Sequence, residues 1–226
     1  MIEIPDFDRK YLTELYNDAA LKKKNAVYRE INADECEISY MRSIRRDEHA
    51  LECGLSGVYK RMTYKMKEQP KLRKKPKNYF VFYRQNGKLL QMEHYTDGKR
   101  YFDFWQMFYE GDKRYCIPFA RWDDDQEVKE AYGERAYVAR FDGDFVTEEY
   151  SLDCGSIYYE KYTPTDDANK IGYYFIHYHP NNEDSETTGL LGIYEGYVTT
   201  DCERPEFHRT GGWSWYDDWF KLKYEK

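Results

Sequence analysis

His177 and His179 are the pair of side chains in this 226-residue chain whose spacing points most directly to chemistry. They lie in GYYFIHYHPNNEDSETTG, from Gly172 to Gly189. On a strand, residues two apart share a face, so both imidazoles could reach one divalent metal ion. Glu183 lies four positions beyond His179, and His208 could add a third imidazole from a later strand. Against this, Glu183 sits in a polar run that reads as a loop. The pair then reads as two groove histidines beside a turn, with no cofactor.

The run of a glycine, His-x-His, a glutamate and a second glycine resembles the first metal motif of cupins. The resemblance implies a metal held by His177, His179, Glu183 and His208. Two gaps, glycine to histidine and glutamate to glycine, are each one residue short of that pattern. The second cupin motif is missing around Pro205 and His208. A second resemblance is to two-histidine phosphoesterases, through the triplets His94-Tyr95-Thr96 and His208-Arg209-Thr210. It implies one histidine as base and the other as acid on a phosphodiester. Here each triplet abuts a turn, Asp97-Gly98 or Gly211-Gly212, and His94 reads as a rim residue of a hairpin.

GxSxG, Walker, GxGxxG and HExxH patterns are absent from the sequence. Asp123, Asp124 and Asp125 lack the alternating ligands and turn glycine of a calcium loop, and read as a helix cap or acidic edge. They follow Trp122, and a similar mixture recurs in GGWSWYDDWF, residues 211–220. There Trp213, Trp215 and Asp217 alternate with Ser214, Tyr216 and Asp218, and Trp219 follows. Indoles beside carboxylates pack cores, but they also compose protein-binding hot spots aimed at basic partners.

Charge agrees with such a partner. The formal net charge is −7; residues 1–78 carry 18 Lys/Arg against 13 Asp/Glu, and residues 79–226 carry 17 against 29. Acidic surfaces disfavour nucleic acid and anionic membranes, and they steer basic proteins. The basic run KEQPKLRKKPK, residues 67–77, reads as a solvated loop. Five cysteines (Cys36, Cys53, Cys116, Cys154, Cys202) are odd in number and never form a CxxC pair. With no signal-like start and no membrane-length apolar run, the chain reads as cytoplasmic with reduced thiols.

Elements that could position these groups are legible from periodicity. Apolar residues from Leu12 to Ile31 recur at helical spacing, with Asp6 or Asp8 as cap and Lys22–Lys24 on a solvated face. Residues 34–53 are ambiguous between helix and strand, and alternation from Val58 to Met66 suggests a strand. Asn86-Gly87, Asp97-Gly98 and Asp142-Gly143 are two-residue hairpin signals, because these positions need positive φ. Glu110-Gly111-Asp112 supplies another turn. Further strands are expected at 157–162, 171–179, 190–199 and 213–224, with a short helix in 122–132. Leu, Ile, Val and Phe are only about 18 % of the chain, so 25 Tyr and 5 Trp must supply much of the buried area.

The expected fold is mainly β: an antiparallel meander or barrel-like sheet with an N-terminal helical segment (α+β). The division is residues 1–57 as the helical segment and 58–226 as the β domain. FYRQNGKLLQMEHYTDGKRYFDFWQMFYEGDK, within residues 79–115, resembles MORN-variant repeats, in which aromatic strands are joined by NGK and DGK turns. Such repeats occur in bacterial antitoxin-like and polymorphic-toxin immunity proteins, so the resemblance implies binding rather than chemistry. The combined expectation is a non-enzymatic inhibitor that occludes the basic cleft of a toxin. Its expected surface is Trp122, Asp123, Asp124, Asp125, Trp213, Trp215, Asp217, Asp218 and Trp219.

Overall fold

A computed structural model describes residues 8–42, 69–72, 77–97, 99–120, 130–143, 145–180, 189–199 and 207–214. Among the described residues, the helix α1 (Arg9–Lys24) precedes a 3-10 turn (Ala33–Glu35) and β1 (Glu37–Arg42). Then come β2 (Asn78–Gln85), β3 (Lys88–Thr96), β4 (Lys99–Glu110), β5 (Lys113–Ala120) and β6 (Ala136–Asp142). The rest are β7 (Phe145–Asp153), β8 (Ser156–Pro164), β9 (Lys170–Tyr178), β10 (Leu190–Thr199) and β11 (Phe207–Ser214). The strands form one antiparallel sheet in chain order, β1 to β11, which is the order of a meander. No helix among the described residues is long and apolar enough to cross a membrane.

The turn residues do what their chemistry requires. Asn86 and Gly87 sit at φ 51° and 75°, Asp97 at 53° and Gly143 at 59°; Asp142 is the last residue of β6, so that turn starts one residue later than expected, at Gly143. A two-residue hairpin with positive φ at both positions matches the right-handed twist of its strands. Cys154 and Gly155, at φ 48° and 81°, make another such turn between β7 and β8 that the sequence reading did not anticipate.

The chain divides into two compact units, residues 1–20 with 138–226, and residues 21–137. In the first, Asp8 caps α1 by accepting the Tyr11 N–H at 3.0 Å. Leu12, Leu15 and Ala19 are buried at helical spacing. Asp18 accepts the hydroxyl of Tyr150, itself buried on β7.

In the second unit the expected solvated lysines are partly docked. Lys22 pairs with Glu110 and lies over the Phe108 and Tyr115 rings at 5.5 and 5.4 Å. Lys23 donates to the Gly133 carbonyl. The helix stops at Lys24, not near Ile31, and Val27 is exposed. Tyr28 instead packs edge-on against Phe104 and Phe119, at 5.7 and 5.9 Å. The Arg29 N–H bonds to Gln106 Oε1. Packing the half-buried Tyr28 ring and satisfying Gln106 outweighs two more helical turns.

Strands expected at 157–162, 171–179 and 190–199 correspond to β8, β9 and β10. Residues 34–42 resolve into the 3-10 turn and β1. The strand expected at 58–66, the domain division at residue 57, most of the 122–132 helix and residues 215–224 lie outside the described residues.

Candidate functional site

Three of the candidate histidines share one local arrangement. His94 stands opposite Phe80 across β2 and β3, His177 opposite Tyr158 across β8 and β9, and His208 opposite Tyr197 across β10 and β11. Each imidazole stacks on its partner ring, at 4.5, 4.1 and 4.7 Å between centroids. Directly opposed side chains on antiparallel strands are close enough for this, and offset stacking favours it.

His94 is fully buried in mid-strand, not on a hairpin rim. The alternation of β3 turns it to the same face as Met92, and the Phe80 ring covers it. Both His-x-Thr triplets lie within strands, β3 and β11; Thr96 ends β3 before the turn at Asp97, whereas Gly211 and Gly212 continue β11 and form no turn.

The cupin-like set does not converge. His177 is in register with Gly192 of β10, while His208 is in register with Tyr197, five residues along. Five residues of strand span about 17 Å, and the odd number puts the two side chains on opposite faces. Glu183 lies outside the described residues. Among the described residues, no group of three or more His, Cys, Asp or Glu is arranged to hold a metal ion. Burial, followed by the neighbouring His179, lowers the His177 pKa to about 4 against an opposing pull from Asp153. His177 is therefore neutral at pH 7.

Tyrosine hydroxyls are directed at carboxylates. Glu148 on β7 accepts from Tyr11 of α1 at 2.8 Å, Tyr159 of β8 at 2.9 Å and Arg140 of β6 at 3.1 Å. Tyr11, Glu148 and Tyr159 border a groove of about 590 Å³ at the start of α1, lined also by Leu12 and Ile176. Burial, reinforced by Glu148, pushes the Tyr11 hydroxyl up to about 12 and Tyr159 higher still, so both remain donors. In the second unit Glu93 likewise accepts from Tyr83 at 3.1 Å and Tyr95 at 3.0 Å.

The opposite face of β7 to β10 carries the arrangement best suited to a partner. Alternation puts Tyr158, Glu160 and Tyr162 of β8 on that face, beside Tyr173, Phe175 and His177 of β9. Glu160 stands directly opposite Phe175 on one side and Glu149 of β7 on the other. Tyr162 is within hydrogen-bond reach of both carboxylates, at 3.1 Å from Glu149 and closer to Glu160. Ring centroids run on from Tyr158 to Phe175 at 6.5 Å, then to Tyr194 at 5.6 Å, and from Tyr162 to Tyr173 at 5.8 Å. Tyr158, Glu160, Tyr173 and Phe175 are half-buried, over a buried floor of Tyr162, His177, Tyr194 and Glu149.

The sequence reading treated β8 as scaffold and singled out only His177 on β9. Their signal is Tyr-x-Glu-x-Tyr in β8 and Tyr-x-Phe-x-His in β9, which share a face only once the register is known. Of the surface expected from sequence, Trp213 occupies β11 opposite Ile193. Trp122, Asp123, Asp124, Asp125, Trp215, Asp217, Asp218 and Trp219 lie outside the described residues. No protein-family model, curated protein or solved structure matches the chain.

Proposed function

We propose that the protein is a non-enzymatic, cytoplasmic protein-binding inhibitor of the bacterial immunity or antitoxin kind, directed at a basic toxin. The observation that carries this reading is the half-exposed aromatic face of β8 and β9, with Glu160 at its centre. Half-buried tyrosine and phenylalanine rings supply large contact area at low entropic cost, and carboxylates among them select a positively charged counterpart. The resemblance of residues 79–115 to MORN-variant repeats points the same way. So does the acidic balance of residues 79–226. Inhibition would work by occlusion: carboxylates steer the encounter, and buried rings slow dissociation.

The test is co-expression with a basic toxin encoded beside this chain, followed by titration of the purified toxin's activity. Survival of the co-expressing cells and loss of toxin activity at a stoichiometric ratio are expected. Absence of protection, or turnover of a small molecule by the purified chain, overturns the reading.

A further inference from the structure

We infer that the face centred on Glu160 binds a guanidinium, the side chain of an arginine presented by a basic segment of the partner. The source of that arginine rests on the partner-binding reading above; the site itself rests on geometry. Glu160 is flanked along β8 by Tyr158 and Tyr162, and across β9 by Phe175, with Tyr173 and His177 on the diagonals. Five rings therefore frame one half-buried carboxylate, and Glu149 adds a second carboxylate beside it on β7.

This is the complement of a planar organic cation. A carboxylate offers about four acceptor sites, and the single hydroxyl hydrogen of Tyr162 can occupy only one of them at a time. Guanidinium donates in a fork to such a carboxylate and also lies flat on aromatic faces. An ammonium has neither the fork nor the flat face, so lysine fits less well. The rings exclude water around the charge, which strengthens the pairing relative to an open surface. The excess of carboxylates in residues 79–226 favours approach of the same kind of segment.

The full-length chain should be titrated by calorimetry with a short tri-arginine peptide amide, and with the same peptide carrying citrulline. Citrulline keeps the planar shape and loses the charge. Saturable binding of the arginine peptide alone is expected, with the tri-lysine peptide weaker. Glu160→Gln retains an acceptor for Tyr162 and should weaken arginine binding about tenfold, the loss expected for a charge-assisted pair. Equal binding of citrulline and arginine, or of Glu160→Gln and the native chain, overturns the inference. Should Glu160→Gln fail to fold, the arginine and citrulline comparison on the native chain decides alone. Toxin inhibition separates the two proposals. If the native chain inhibits and a folded Glu160→Gln inhibits equally well, the guanidinium site fails and the inhibitor reading stands. Arginine binding without any toxin inhibition does the reverse.

Discussion

Replacing His177 by phenylalanine keeps a ring against Tyr158 and removes a titrating group from a buried position. His177 is 4 % exposed, and its pKa falls from 6.5 to about 4 in the folded chain. The folded state thus disfavours the proton that the unfolded chain accepts. Above pH 6.5 both states are neutral and the group costs nothing. As pH falls from 6.5 towards 4 the unfolded chain gains the proton first, so stability drops. Linkage puts the drop at about 2 kcal/mol by pH 5 and about 3 kcal/mol below pH 4. The titratable neighbours that bear on the value are His179, which lowers it further, and Asp153, which opposes. Urea unfolding at pH 7.5 and pH 5 should therefore show the native midpoint falling by about 1 M more than that of His177→Phe, for a denaturant slope near 2 kcal/mol/M. Carboxylates titrate in both proteins and cancel in the difference. Parallel behaviour of the two proteins over this window would refute the assignment of a neutral, stacked His177.

Glu148 and Gly212 offer sharper structural tests. Glu148→Ala should cost about 3 kcal/mol, because it takes the acceptor from the Tyr11 and Tyr159 hydroxyls and removes the ion pair with Arg140, and Glu148→Gln markedly less; thermal melts of both variants check the order. Gly212→Ala should destabilise by more than about 2 kcal/mol, since φ is 99° and an added Cβ would lie 2.0 Å from the Ile193 carbonyl oxygen. Gly87→Ala, with open space around it, should cost about 1 kcal/mol in the same assay.

How much of the candidate site was legible follows from the range of the interactions involved. The tyrosines were expected to be core and surface material, and the acidic balance was expected to select a basic partner. Their assembly around Glu160 was not, because it depends on which residue of β9 faces which residue of β8. A slip of one position would move Phe175 and His177 to the other face. The histidines show the same limit. His177 and His179 read as a metal pair from spacing alone, yet the Tyr158 ring that covers His177 comes from a different strand.

What the sequence determined by itself was local. Asn86-Gly87, Asp97 and Gly143 set their hairpins because positive φ comes readily to those residue types and needs no distant partner. Asp8 capped its helix for the same reason. The end of α1 was decided elsewhere. Tyr28 gains more from Phe104 and Phe119, more than seventy residues away, than from continuing the helix. Tertiary structure also decided the destinations of the phenol hydrogens, with Tyr11 reaching Glu148 and Tyr150 reaching Asp18. A hydroxyl's partner is set by which carboxylate lies within 3 Å or so, and only the packed structure supplies that distance.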